Sequence, residues 1–397
     1  MPTTKKESLA MLSLHKLFLN AGAPDSFDEV IAPTDSQRRT LMAAKNAIRE
    51  HLRADIRAAT TTVLGMDRMV TPRFRTQGSW AYKTCVQAAH RPPQEMDWDF
   101  GVYLPVTVWD EHAPPARMAK LYFELVERSL GQLCEREGWR LERGNTRCVR
   151  IRIADWAHID VPLYAAPEAK FHQVMEKAVA LNSAHHAYLH LRESAALDEA
   201  PEPFWELLDE IHVATRDGRW LPSDPEAVAK WFDDQVLVHG EQLRRVCCYL
   251  KAWRDYHWRD GGGPSSVLIM IVVTQAFDAT PRRDDLAVER AAMTLARALG
   301  DGVYERGIDG GEEDFNRMSS GERLIAVQRA ESLARQMSLS RHFGPGLRQT
   351  AVDNVRAQFG PRIADNCELV AADDGTDVRR VPAAQVVPPV VGATKAG

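Results

Sequence analysis

Apolar positions along this chain follow two regimes, with short alternating runs set between helical stretches up to about residue 165 and a helical period alone beyond about residue 170. Residues 36–61 hold Ala, Leu, Ile and Arg with neither proline nor glycine, which predicts a long helix. Met118, Leu121, Tyr122, Leu125, Leu130 and Leu133 recur at helical spacing and predict an amphipathic helix over 116–137. Residues 73–77 and 96–104 predict strands, and 80–89 a helix opening at Gly78-Ser79. Val149, Ile151 and Ile153 alternate with arginines, placing a strand over 148–153 and a neighbour over 158–163.

The second half predicts helices over 205–212, 225–238, 241–258, 265–277, 285–299 and 320–337. Ser223-Asp224-Pro225 supplies a cap and a first-turn proline for the second of these. Leu243, Val246, Leu250 and Trp253 form the apolar stripe of the third, which Gly261-Gly262-Gly263-Pro264 stops. Residues 381–397 have three prolines and no periodic face, and read as a flexible tail. Strands followed by helices predict an α+β chain with two lobes and a central cleft. The expected division is a core lobe with an N-terminal helix over 1–170, a helical lobe over 171–380 and the tail over 381–397.

Composition narrows the class of function. At 397 residues the chain exceeds the size that one core usually serves. Its 45% apolar and 26% charged content is that of an ordinary globular protein. Lys5, Lys6 and Glu7 precede any apolar run, so no secretory signal is expected, and the apolar stretch 267–273 is too short to span a bilayer. Six scattered cysteines without a C-x-x-C pair suit reduced thiols in a cytoplasm. A net charge of −5 favours small nucleotides over a DNA or RNA template, because gripping long nucleic acid takes positive surface.

The candidate chemistry lies in two stretches of the first half. Successive strand side chains point to opposite faces, so Asp97 and Asp99 project together while Trp98 turns away. Adjacent carboxylates repel and gain by sharing divalent cations; Mg²⁺ suits them, since substrate phosphates complete its oxygen shell. Upstream, the Gly78 and Ser79 backbone N–H groups form an anion site fit for a triphosphate. Asp160 stands between Ile159 and Val161, a costly place for a carboxylate unless a cation meets it. Asp-x-Asp alone is commonplace, and a lone Gly-Ser is weaker still. Order and placement together carry the reading.

These residues resemble the polymerase-β-type nucleotidyltransferases, and more narrowly the bacterial cGAS/DncV-like enzymes (CD-NTases) of anti-phage CBASS defence, which make cyclic oligonucleotide signals. The resemblance is carried by Gln77-Gly78-Ser79 to Thr84, Pro92-Pro93-Gln94-Glu95-Met96-Asp97-Trp98-Asp99 with Gly101-Val102-Tyr103, and His158 to Tyr164. Gly218-Arg219-Trp220, Ser223-Asp224-Pro225 and Lys251 to Asp255 extend it over residues 36–275, and the combination is most like the Vibrio-type dinucleotide cyclase. Phe100 stands where relatives often carry a further acidic residue, at a position expected to point away from the metals.

The resemblance implies a polymerase-β-type core sheet packed on a helical lobe. It implies two Mg²⁺, with Mn²⁺ as a substitute, on Asp97, Asp99 and Asp160, the last beside the attacking hydroxyl. Gln77 and Ser79 would contact the donor triphosphate, and Lys251 the outer phosphates with Ser265 or Ser266. Ser223 and Asp224 would touch a nucleotide, or cap a helix, or both. The implied activity is template-independent synthesis of a cyclic dinucleotide, cyclic GMP-AMP, from ATP and GTP, for a downstream effector to read. Transfer to an RNA or small-molecule acceptor is the alternative. A terminal Gly397 also resembles tails joined to other molecules by ubiquitin-transfer-like enzymes, though a plain terminus would look the same. His185, His186 and His190 read as a surface cluster, Arg244-Arg245 as either phosphate-facing or a helix edge, and Cys247-Cys248 as packing.

Overall fold

A computed structural model describes residues 11–108, 114–173, 208 and 210–373. In chain order the elements are β1 (Met11–Ser13), α1 (His15–Phe18), α2 (Phe27–Ile31), α3 (Asp35–Ala59), β2 (Arg73–Gln77), the single turn α4 (Gly78–Ala81) and β3 (Met96–Val106). Then follow α5 (Ala116–Glu137), β4 (Arg140–Glu142), β5 (Cys148–Ala154), β6 (Ala157–Pro167), β7 (His212–Ala214) and β8 (Trp220–Pro222). The remainder is α6 (Ala227–His239), α7 (Glu241–His257), α8 (Ser266–Gln275), α9 (Asp284–Ala298), α10 (Arg306–Asp309), α11 (Ser320–Arg341), α12 (Arg348–Phe359) and β9 (Ala371–Asp373).

The main sheet runs β2-β3-β6-β5-β4, with β7 paired to the end of β6 and β8 to β7. Only β3 and β6 are parallel; the other pairs are antiparallel. The period of two divides the central strands. Trp98, Phe100, Val102 and Leu104 of β3, with Ile159, Val161, Leu163 and Ala165 of β6, bury one face against α3 and α5. Phe100 is in this core and stacks on Phe74, so its side chain points away from the opposite face as expected. That opposite face carries Asp97, Asp99 and Asp160 at one end and Tyr103 and Tyr164 at the other, where the two tyrosines stack.

A second core joins α6 through α12 to the first residues described. Leu12, Leu14, Leu17, Phe18, Phe27 and Ile31 pack into it, Phe18 meeting Tyr249 and Phe359. β1 pairs antiparallel with β9, so both ends of the described chain close this core. The lobes are therefore interleaved along the chain, where the sequence suggested one division near residue 170. No helix among the described residues is long and apolar enough to cross a membrane.

Two expected helices are corrected. The helix over 80–89 shrinks to α4: Lys83 turns to φ +57° and the Thr84 N–H bonds back to the Ser79 carbonyl, closing the chain on itself. Of the helix expected over 205–212, residues 205–207 and 209 lie outside the described residues, while 208, 210 and 211 are not helical and His212 opens a strand, with Ile211 and Val213 buried beside Tyr103 and Tyr164. The helix expected from 225 starts at Ala227, after Asp224 Oδ1 accepts the N–H groups of Glu226 and Ala227. His185, His186, His190 and residues 381–397 lie outside the described residues.

Candidate active site

Strand register builds the acidic site. Parallel pairing of β3 with β6 sets Asp97 beside His158 and Asp99 beside Asp160. Antiparallel pairing of β6 with β5 then sets Arg150 beside Asp160 and Arg152 beside His158. Two rows cross three strands: Asp99, Asp160, Arg150, and Asp97, His158, Arg152. Ligand atoms of Asp97, His158 and Asp160 all lie within 4.8 Å of one another. Arg150 clamps Asp160 through both oxygens, each at 2.7 Å.

The Gly-Ser turn leans on this cluster. Gly78 has φ +61°, and a Cβ there would lie 2.0 Å from Asp99 Oδ2, so only glycine lets the carboxylate rest on the turn. Trp80 pins the turn from the other side, stacking on Trp98 at 4.2 Å between ring centroids and donating to the Asp97 carbonyl at 3.0 Å. A cavity of about 390 Å³ opens over the turn and the strand ends. Gly78, Ser79, Asp97 and Asp99 line it from the sheet, and Lys251, Arg254 and Ser266 from α7 and α8.

The electrostatics are those of crowded anions. Burial, then the charges of Asp97 and Asp160, push the Asp99 carboxyl up to about 7. Burial alone would lower the His158 pKa, but contact with Asp97 and its charge outweigh this and hold it above the usual value. Bonding to Asp160 raises Arg150 further, against burial. Asp97 Oδ1 is buried and makes no hydrogen bond of good geometry. Carboxylates brought this close by strand register fit divalent cations bound through oxygen. Across the cavity, burial pulls the Lys251 ammonium down from its usual pKa, and its Nζ donates to the Thr84 carbonyl and hydroxyl.

Comparison with known proteins agrees with this geometry. Residues 72–164 match the family model described as cyclic GMP-AMP synthase DncV-like, nucleotidyltransferase domain, and residues 240–372 match cyclic GMP-AMP synthase, C-terminal domain. A cyclic GMP-AMP synthase of Escherichia coli (strain TW11681) is 33% identical over 80% of this chain and 72% of its own length. The chain belongs to the DncV-like nucleotidyltransferases. A cyclic GMP-AMP synthase of Vibrio cholerae is 39% identical over 53% of this chain and 48% of its own. Two solved structures of Vibrio cholerae DncV superpose over 91% of this chain and 99% of theirs at 25% identity. One is bound to the linear intermediate 5′ pppA(3′,5′)pG (TM-score 0.71) and one is a mutant with ATP, GTP and 5MTHFGLU2 (TM-score 0.73). The enzyme is thus a cyclic-dinucleotide-producing nucleotidyltransferase.

Within this DncV-like nucleotidyltransferase, the sequence-derived residues divide. Asp97, Asp99, Gly78, Ser79, Lys251 and Ser266 share the cavity, and Asp160 adjoins it through the acidic cluster. Gln77 does not line it: its amide is taken up below, donating to the Tyr103 hydroxyl at 2.5 Å and accepting from Tyr164 at 3.2 Å. Ser265 caps α8, accepting from Leu268 N–H. Ser265 and Asp224 face instead a neighbouring cavity of about 610 Å³, shared with Asp309, Glu313, Arg317 and Phe315. Ser223 lines neither of these cavities. Arg244-Arg245 is structural: Arg244 pairs with Asp233 and Glu241, and Arg245 with Asp284. Cys247 is fully buried among apolar neighbours, as its packing role required. Sequence reading missed His158, Arg150 and Arg254. The arginine-rich alternation of residues 148–153 was the signal for Arg150, but only the register gives it a partner.

Proposed function

We propose that the enzyme makes cyclic GMP-AMP from ATP and GTP, without a template, in two successive metal-dependent transfers. The observation that carries this is the convergence of three carboxylates, from two strands in register, at a cavity that also holds the Gly78-Ser79 turn and Lys251. Asp97, Asp99 and Asp160 would hold two Mg²⁺, or Mn²⁺. Bound there, the cations would acidify the ribose hydroxyl and neutralise charge on the α-phosphate and the departing pyrophosphate.

The chain's own groups do the rest. Gly78 and Ser79 N–H groups hold the donor triphosphate, with Lys251, Arg254 and Ser266 on its outer phosphates. Gln77 acts from below, bracing the turn through Tyr103 and Tyr164. Asp160 stands beside the acceptor hydroxyl, whose oxygen bonds to the α-phosphorus as pyrophosphate leaves and whose proton passes to the carboxylate cluster. The larger neighbouring cavity, with Asp224 and Ser265 on its wall, takes a base, and Ser223 precedes Asp224 at the start of that wall. A linear dinucleotide that keeps its triphosphate then reverses in the cleft for the second transfer.

The setting that accompanies this reading is a cytoplasmic antiviral signal passed to a downstream effector. Purified protein with ATP, GTP and Mg²⁺ should give a phosphatase-resistant product, identified by mass spectrometry and linkage-specific nucleases. Asp97→Asn with Asp99→Asn should abolish it. Unchanged product from that double variant would end the metal assignment, and labelling only of added RNA or a small-molecule acceptor would end the cyclase reading.

A further inference from the structure

The row Asp97, His158, Arg152 contains a buttress that the three-aspartate reading does not use. Glu95 enters just ahead of β3, nine-tenths buried, and its two oxygens serve different neighbours. Oε2 lies 3.0 Å from His158 Nδ1, and Oε1 lies 2.5 Å from Arg152 Nη1. Arg152 is itself held by Glu142 through Nε at 2.8 Å. Fixed in this way, the buried imidazole turns Nε2 toward Asp97 Oδ1 at 3.2 Å, the oxygen that has no well-formed hydrogen bond.

We propose that His158 is a positioning residue for Asp97, held by Glu95 and Arg152 so that the carboxylate stands ready for the cation it shares with Asp160. The inference rests on the reading that these aspartates bind metal. Its physical basis is loss of freedom: an aspartate at a half-exposed strand end samples several rotamers, and ordering it on metal binding costs affinity. A ring locked by an outer carboxylate removes part of that cost beforehand, as outer partners do for metal ligands generally. Asp160 has its own brace in Arg150, so each row ends in an arginine that steadies its carboxylate, directly in one case and through Glu95 and His158 in the other.

The test reads metal binding apart from turnover. Mn²⁺ affinity would be measured by electron paramagnetic resonance on the full chain with a nonhydrolysable ATP analogue, for wild type, His158→Phe, His158→Gln and Glu95→Gln. His158→Phe should weaken Mn²⁺ by about 10- to 100-fold. His158→Gln, whose amide can still reach Asp97, should recover much of the loss, and Glu95→Gln should weaken binding severalfold. In turnover the half-saturating Mg²⁺ concentration should rise while kcat at saturating Mg²⁺ changes less. Should His158→Phe fail to fold, the two conservative variants carry the same comparison. Mn²⁺ affinities within twofold of wild type across the series overturn the inference and leave the metal reading standing. No Mn²⁺ binding by wild type overturns both.

Discussion

Asp99 is the residue at which the site's physics is most exposed. Its folded pKa of about 7 lies above the usual 3.8 because burial and two neighbouring carboxylates disfavour its charge. The sign follows: holding the proton favours the folded chain below about pH 4, and that contribution is lost as pH rises through 7. Metal-free Asp99→Asn should therefore be more stable than wild type by roughly 1–2 kcal/mol at pH 8 and gain little at pH 4, as chemical denaturation would show. Because a cation must displace this proton, apparent Mg²⁺ affinity should climb between pH 6 and 8 in calorimetric titrations. Gly78→Ala offers a second test at this scale, as its Cβ cannot coexist with Asp99 Oδ2. Displacing the carboxylate by about 1 Å should cost ~100-fold in kcat, while the left-handed backbone should cost about 1 kcal/mol in stability. The pair Asp97 and Asp99 was legible from sequence because a period of two needs no partner to fix which face they share. Gln77 was not, since its two hydroxyl partners come from strands 26 and 87 positions away.

Elements were read well where their own periodicity decides them and poorly where a tertiary contact does. The long helices α3, α5 and α7 carry stripes that match their buried residues. The segment 80–89 looked helical by composition, yet Trp80 is drawn onto Trp98 and the chain bends at Lys83, leaving one turn. β7 was not legible as a strand because its reason for existing is the end of β6, 47 to 49 residues earlier. A polar group under the sheet binds these elements to α6. Glu226, at the α6 N-terminus, pairs with Arg75 of β2 at 2.7 Å and accepts from Tyr103 of β3 at 3.3 Å, both partners being buried. Removing the carboxylate from such a pair is strongly unfavourable, so Glu226→Ala should lower unfolding free energy by about 3 kcal/mol. Urea unfolding would measure it. Glu226→Gln, which keeps an acceptor for Tyr103, should lose less.

At the scale of the molecule, the helical lobe is closed by the two ends of the described residues. β1 and β9 pair over three residues, Arg283 reaches Asp373 from the start of α9, and Asp285 accepts the Leu14 N–H, the residue that follows β1. Leu12, Leu14 and Val370 are buried beside this small sheet, so β9 protects apolar surface as well as backbone groups. Sequence patterning could not show this, because three-residue strands are too short to alternate visibly and the two partners lie about 360 positions apart. The pairing predicts that where the chain is cut matters more than how much is cut. A chain ending at residue 373 keeps β9 and serves as the reference. One ending at residue 369 loses the ladder, the Arg283–Asp373 pair and Val370 together. A loss of about 3 kcal/mol from these would lower the melting temperature by roughly 6–12 °C. The candidate catalytic cavity draws Lys251 and Ser266 from the same lobe, so nucleotide turnover should fall in the shorter chain at temperatures where the longer one works normally. Equal melting of the two chains would show that β9 lies on the lobe without holding it.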